Sequence, residues 1–587
     1  MAHGAFNHLQ APRRLWWGVF TLAVLTLACG SIGVARYEEE HSPGARHGFS
    51  PLYHATQMLI LHTAHFEEMN GWLEAGRWFG AATLFAATGV VFGKRLRREF
   101  RLMRMTRWRD HHVVCGLGHK GLEVARSFKR KNPRARVVVI DPEPGEHLAN
   151  ECDKEGICIF AADASLPETL QQARVARARD VVILTPLDQT NVRIAAEVRL
   201  QRSGQKPGEA ACHVHVSDIH LRDALQQWSE GGGKASGGAL HFFDVFDNEA
   251  RRILLDVPLD GAGIGRDDPR SVHVVVLGFG RMGCSVALRA AKMGHFANGK
   301  KLRISVVDRN AGAERERFLF RHPVLKGSAV CRMEFHTAEA DSISARDRME
   351  EWARERDVLL HVFVCLEDDA RDVEVALRLR TLLNAPDRHL LVRIRSHRSL
   401  AKILETAPSP DQRIIPFGMI EDACADEAFL NERTDSVARA IHEFFVFKRL
   451  AGSIRRPDND PALRDWDDLR EEIRESNRQQ ADHIAIKLRA IGCKLVKTSD
   501  PGEAVEKIEW KEIELLAPVE HGRWNAERLL AGWRYGTPSN KEERINENLK
   551  TWEELDKSIR KYDEEAVEDI PDIVKRASPP LKVVRVS

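Results

Sequence analysis

Twice in this chain a run of β-branched residues breaks into Gly-x-Gly-x-x-Gly and then into a helical pattern, and this pairing restricts the fold more than any other feature. The first copy reads His112-Val113-Val114-Cys115 and then Gly116-Leu117-Gly118-His119-Lys120-Gly121. The next strand-like run, residues 136–140, ends in Asp141, twenty residues beyond Gly121. Strand, glycine turn, helix and an acid at the tip of the second strand make a dinucleotide-binding arrangement. The first two glycines let the backbone turn and approach a pyrophosphate, and the third lets helix and strand pack. The helix N-terminus favours the negative charge, and the acid accepts the ribose hydroxyls. Strand-like runs at 157–160, 181–184 and 213–216 alternate with helix-like runs at 169–178 and 191–201, which predicts a parallel α/β sheet.

The pattern then repeats. Residues 272–277 lead into Gly278-Phe279-Gly280-Arg281-Met282-Gly283, and residues 303–307 end in Asp308. The glycine motifs stand 162 residues apart and the acids 167 apart, so the chain carries an internal duplication. The second copy holds a polar insertion, HFANGKK at 295–301, which places its acid 25 residues beyond Gly283.

Upstream, residues 15–35 form 21 consecutive positions without a charge. At about 1.5 Å per residue this spans a hydrocarbon core of ~30 Å and exceeds the core of a cleaved signal peptide. A second apolar run, 78–93, is extended by Trp72, Leu73 and Ala75 if Glu74 and Arg77 snorkel. Arg13 and Arg14 precede the first run, and Lys94, Arg95, Arg97, Arg98, Arg101, Arg104, Arg107 and Arg109 follow the second, whereas Glu38, Glu39 and Glu40 lie between. This predicts a two-pass protein of the cell membrane with both termini cytoplasmic and the basic run against anionic lipid. Between the spans, Ser50 is expected to cap, and Pro51 to open, a short helix running to about Leu61.

Composition narrows the partners. A formal net charge of +2 gives no reason to expect nucleic acid. The ten cysteines show no Cys-x-x-Cys pair and no zinc spacing, so no metal is expected, and Cys115 and Cys365 read as reduced core residues. A hydride-transferring NAD-dependent oxidoreductase is the competing reading of the glycine fingerprint. The four tyrosines, at 37, 53, 535 and 562, all lie outside 111–425, which excludes a Tyr-x-x-x-Lys proton donor there and leaves a His or Lys acid open. The expectation is a protein without catalytic residues, not an enzyme.

The first copy resembles the RCK domain, the regulator of potassium conductance, through VVCGLGHKGLEVA, VVVID, AADAS at 161–165 and VVILTPLDQTN at 181–191. The resemblance covers 111–250 well and 271–425 more loosely. It implies that Ala162, Asp163 and Ala164 lie beside an adenine and that Thr185, Asp188 and Asn191 belong to the segment after the fourth strand. It further implies an adenine nucleotide, NAD(H) or ATP/ADP, as the ligand, and a homo-oligomer built as a dimer of Rossmann pairs or a tetramer. The regulated process would be the transport of a monovalent cation such as potassium. The hairpin resembles the two-helix pore unit of potassium-channel-like proteins, yet His62 to Glu68 contains no glycine to build a carbonyl filter. A non-selective pore, a degenerate pore, and a plain anchor for a stress or defence sensor all remain open.

Beyond about residue 430 the chain turns helical and charged, with a loop at 457–461. His521-Gly522-Arg523-Trp524, Gly532-Trp533-Arg534-Tyr535-Gly536 and Trp552-Glu553-Glu554-Leu555 resemble the ryanodine receptor repeat over about 515–575, and bacterial proteins with that repeat are thought to sense nucleotide-derived signals. Trp466, Leu469, Ile473 and Arg474 echo Trp552, Leu555, Ile559 and Arg560 at a spacing of 86. Trp524, Trp533, Tyr535 and Trp552 beside Arg523, Arg528 and Arg534 form either a pocket for a planar anion or the core of a small helical domain.

The expected architecture is thus α/β: a transmembrane helical hairpin with basic linker (1–110), two tandem Rossmann-type doubly wound parallel sheets (111–265 and 266–428), and a C-terminal helical region (429–587). The predicted nucleotide contacts are Gly116, Leu117, Gly118, His119, Lys120, Gly121, Asp141, Asp163, Ala164 and Thr185, with Gly278, Gly280, Gly283 and Asp308 in the second copy.

Overall fold

The computed structural model describes residues 13–41, 49–62, 69–105, 107–203, 211–218, 239–395, 414–419, 435–451, 461–466 and 469–586, with residues 221, 222, 224, 225, 228 and 404 between them. The expected filter segment from 63 to 68 and the loop at 457–460 lie outside the described residues, as do the side chains of Arg13 and Arg14 and of most of the basic run. Two compact units divide the chain, Met1–Trp108 and Arg109–Ser587.

The first unit is helical: α1 (Arg13–His41), α2 (Ser50–Met58) and α3 (Gly71–Met105). Small residues let the helix backbones meet closely. A Cβ on Gly33 of α1 would lie 2.6 Å from the Leu73 nitrogen of α3, and one on Gly80 would lie 2.4 Å from the Met58 oxygen of α2. Asn70 seals the start of α3, taking the Leu73 N–H at 3.0 Å and donating to the Gly33 carbonyl at 2.9 Å. Among the described residues one helix, Trp16–His41, is long and apolar enough to cross a membrane. Ser50 differs from its expected role. Pro51 does sit in the first turn, but the cap position falls to Phe49, and the Ser50 hydroxyl donates instead to Glu38 of α1 at 2.7 Å.

The second unit contains both predicted sheets. β1 (His111–Cys115), β2 (Val137–Ile140), β3 (Cys158–Phe160), β4 (Ala178–Ile183), β5 (Ala211–His215) and β6 (Ala239–Phe243) pair in the order β3-β2-β1-β4-β5-β6. β7 (Ser271–Leu277), β8 (Arg303–Asp308), β9 (Arg332–Thr337), β10 (Val358–Val364), β11 (Arg388–Arg393) and β12 (Ile414–Phe417) repeat that order as β12-β11-β10-β7-β8-β9. All pairings within the two sheets are parallel. In each sheet the order reverses beside the first strand, and ligands of open α/β sheets bind at the carboxyl ends of the strands there.

The helix Val245–Asp256 follows the first sheet in sequence, yet Phe246, Ala250, Ile253 and Leu254 are buried in the core of the second sheet with Val286 and Ala290. Its polar face ties in the C-terminal region. Arg251 makes a bidentate pair with Asp482 at 2.7 Å and reaches Asp435 at 3.2 Å. Arg289, 1% exposed, bridges Asp247 at 2.6 Å and Glu475 at 3.3 Å. Removing one member of such a network strands the other charge in a low-dielectric site at a cost of about 3–5 kcal/mol, so these pairs fix how the three parts dock.

The C-terminal region is mostly helical, with Ser436–Ala451, Glu471–Ala490, Trp510–Leu530 and Lys557–Glu568 as its longer helices. It also has an antiparallel strand pair that was not expected, Cys493–Lys497 with Leu581–Arg585. The 86-residue echo has a backbone counterpart: Leu469 N–H donates to Trp466 O as Leu555 N–H does to Trp552 O, both at 3.3 Å. Arg474 N–H donates to Arg470 O as Arg560 N–H does to Asp556 O.

Candidate functional site

β1 ends at Cys115 and the helix α4 (His119–Lys131) begins after only three intervening residues, so the turn between them must be tight. Gly116 takes φ +106°, a region L-residues rarely adopt, and a Cβ on Gly121 would lie 1.9 Å from the Gly116 oxygen. Gly118, the N-cap of α4, has an ordinary φ of −87°, and a Cβ there meets nothing within 4 Å. The loop therefore presents a bare backbone and an unobstructed helix N-terminus, the electrostatics of an anion seat.

Asp141 is built into this loop. One carboxylate oxygen takes the Leu117 N–H at 2.7 Å and the other takes the Glu143 N–H at 2.9 Å. Asp163 opens an Asx turn after β3 through the Ser165 N–H at 2.8 Å, and that bond together with the Ser165 hydroxyl holds its carboxyl below the usual range. Asp163 is exposed and Ala164 buried beneath it. Thr185 is already engaged: its N–H and hydroxyl both donate to Asn191 Oδ1, at 2.9 and 2.6 Å. Asn191, fully buried, returns its amide to Thr185 O at 3.0 Å and His215 O at 2.9 Å. Asp188 accepts the Ser217 and Asp218 N–H groups, so this cluster clamps the ends of β4 and β5 together.

The second loop follows the same plan. Gly278 takes φ +90°, a Cβ on Gly283 would lie 2.2 Å from the Gly278 oxygen, and Gly280 again faces open space. Asp308 takes the Phe279 N–H at 2.8 Å and the Asn310 N–H at 2.7 Å. The Phe279 side chain turns into the core against Phe318 and Phe335, away from the phosphate space.

One residue that sequence reasoning missed stands between the two loops. The Phe246 ring has Lys120 Nζ, from the first turn of α4, 4.3 Å from its centroid. Arg393, at the carboxyl end of β11, lies 5.5 Å from the same centroid. Glu249, one turn along the same helix, accepts the Gly418 N–H after β12 at 2.8 Å. No local motif marks Phe246, because its role arises from a helix of one sheet docking on the other.

In the C-terminal region the predicted pocket is rearranged. Arg523 is buried and neutralised by Glu520 and Glu527, at 2.8 and 2.6 Å, so it faces the core instead of a ligand. Arg534 is exposed and lies 3.8 Å from Glu543. The cations that do face rings are Arg528 over Trp524 and Trp533, Lys550 over Tyr535, and Arg560 over Trp552. His521 sits between Trp524 and Trp552 and bridges Asp563 and the Lys550 carbonyl.

Residues 112–226 match the TrkA-N domain, and residues 506–575 match the RyR domain. Potassium channel protein 1 of Methanocaldococcus jannaschii is 30% identical over 110 residues, which is 18% of this chain and 32% of that protein. Among solved structures, the GsuK channel is similar at a TM-score of 0.40 and 16% identity, over 71% of this chain and 98% of that one. The human SLO3 gating ring is similar at a TM-score of 0.39 and 10% identity, over 67% and 88%. The first sheet therefore carries a TrkA-N domain, and the C-terminal region carries a RyR domain.

Proposed function

We propose that this protein is a membrane-anchored, nucleotide-responsive regulator of potassium or another monovalent cation. The observation that carries the reading is the bare middle glycine of each loop, Gly118 and Gly280, standing at a helix N-terminus where the sheet order reverses. The TrkA-N match and the partial likeness to a potassium channel protein support the transport assignment. The ligand is an adenine nucleotide, NAD(H) or ATP/ADP, with its phosphates at Gly116–Gly121 and its ribose toward Asp141. No step is catalytic.

The mechanism is linkage between arrangements of the two sheets. A phosphate at the first loop draws Lys120 from the Phe246 ring, and the helix Val245–Asp256 carries the change to Arg393 and Gly418 at the second loop. The basic segment 94–109 passes the bias to a two-pass hairpin with both termini cytoplasmic, in a homo-oligomer. Exposed Trp17, Phe20, Trp78 and Phe85 on the hairpin favour a lipid or subunit environment.

Purified full-length protein in planar bilayers, recorded with and without NAD or ATP, tests this. A nucleotide-dependent conductance is expected. The glycine-free stretch from His62 to Glu68 favours a second reading, a non-conducting membrane-tethered sensor or scaffold. Tight nucleotide binding with no current in either state would establish that second reading over the first.

A further inference from the structure

The insertion at 295–301 that lengthens the second copy is one wall of a cleft of about 330 Å³, whose other wall is the helix Trp510–Leu530. This lies at the low end of ligand-pocket sizes, about 300–1,000 Å³, and suits a mononucleotide. The cleft sits past the C-terminal end of the helix Arg281–Met293, whose N-terminus carries the second glycine loop, about 20 Å away along 13 residues. It is therefore a separate place from either loop.

The lining has three kinds of group. Arg266, Lys300 and Lys301 supply positive charge against one acid, Glu514. The two lysine ammoniums each donate to one backbone carbonyl, of Pro269 and of Ser328, which leaves each with two further donors. Phe296, Val330, Leu515, Val519 and Leu529 supply an apolar floor. One acceptor completes the set. Pro518 stands inside the helix without an N–H, so the Glu514 carbonyl lacks its i+4 donor. Asn525 Oδ1 and His295 Nε2, though without a hydrogen-bond partner, are sealed behind this lining.

We propose that this cleft binds a phosphorylated nucleobase compound of mononucleotide size, its phosphate at Arg266 and Lys300, its ring on the apolar floor and its exocyclic amine toward the Glu514 carbonyl. A bare phosphate satisfies the cations alone, and an uncharged base satisfies only the floor and that carbonyl. Occupancy pulls the RyR-bearing region against the second sheet, and the helix Arg281–Met293 connects that contact to the second glycine loop.

The test uses full-length protein in detergent with Gly118→Leu and Gly280→Leu, both at positions where an added Cβ meets nothing within 4 Å, so that neither loop contributes binding. Calorimetric titration with AMP and CMP should show one site, and adenosine or ribose 5-phosphate should bind at least tenfold more weakly. Arg266→Ala and Lys300→Ala should each weaken AMP binding about tenfold, and Arg266, exposed on the surface, can be replaced without loss of fold. The absence of AMP and CMP binding, equal binding of ribose 5-phosphate, or AMP binding unchanged by both alanine variants would each overturn the proposal.

Discussion

The two sheets share strand order, glycine loop and acid latch, but they differ at the clamp after the fourth strand. In the first, Thr185, Asp188 and Asn191 close it; in the second the same spacing holds Leu366, Asp369 and Asp372. Leu366 N–H donates to Asp372 Oδ1 at 2.7 Å as Thr185 N–H does to Asn191, and Asp369 takes the Arg395 N–H as Asp188 takes Ser217. Where Asn191 spends its amide on two carbonyls, Asp372 buries Oδ2 without a partner. Burial raises the Asp372 carboxyl to about 7, against the Leu366 N–H, Arg395 and Arg393, which pull it down. One copy is thus closed by a neutral amide, and the other by a carboxyl that is protonated only at or below neutrality.

The sharpest way to break the comparison is to fill the loops. Gly118→Leu leaves the fold intact, because φ is ordinary and the space is open, and it removes adenine-nucleotide binding at the first loop by at least 100-fold in calorimetry. Gly280→Leu should leave that affinity within about threefold; equal losses from both variants would show that the sites are not distinct.

Asp372→Asn comes next. A carboxyl raised in the folded state binds more protons there than in the unfolded chain. Wild-type stability therefore falls as pH rises from about 4 to about 7, by up to about 1.4 kcal/mol per unit. Asn at 372 mimics the first copy, removes this slope and is the more stable form at pH 8 by a few kcal/mol. Denaturant titrations at pH 5 and pH 8 decide it, and parallel pH profiles for the two proteins would refute the assignment.

Asp141→Ala should weaken nucleotide binding by about 1–3 kcal/mol, the scale for charged hydrogen bonds. It also loosens the Leu117 amide, so the unfolding midpoint falls as well. Asp308→Ala should lower stability similarly through the Phe279 amide, and an unchanged nucleotide dissociation constant for Asp141→Ala would remove that residue from the site.

The smallest effect is expected at Phe246→Leu, which keeps the apolar contact but loses the ring over which Lys120 and Arg393 sit. First-loop affinity should change by less than threefold. The effect of nucleotide on hydrogen exchange at 414–418 should disappear, and its persistence would rule out this route.

Much of the fold was legible because it is written in short-range pattern. Runs such as 274–277 are apolar throughout, as a strand buried on both faces requires, and glycine spacing records a turn that only glycine can make. The 169–178 run was less legible: it is the helix Pro167–Gln172 followed by a single 3₁₀ turn, Val175–Arg177, because Arg174 takes φ +56° and breaks the helix. The sequence leaves Arg523 open between pocket and core because its helical spacing from Glu520 and Glu527 can put all three on a buried face, and the packing of Lys487 against Glu520 decides for the core.

The sequence by itself determined the duplicated parallel sheets, the glycine loops, their latching acids and the apolar N-terminal helix, since each depends on neighbours within a few turns or on a fixed period. Tertiary structure alone decided that the helix Val245–Asp256 belongs to the core of the second sheet, that Phe246 stands between Lys120 and Arg393, and that Arg251 reaches Asp435 and Asp482. Those contacts join residues up to 231 positions apart. They arise from shape and charge complementarity between finished surfaces, which leaves no periodicity in the chain to be read.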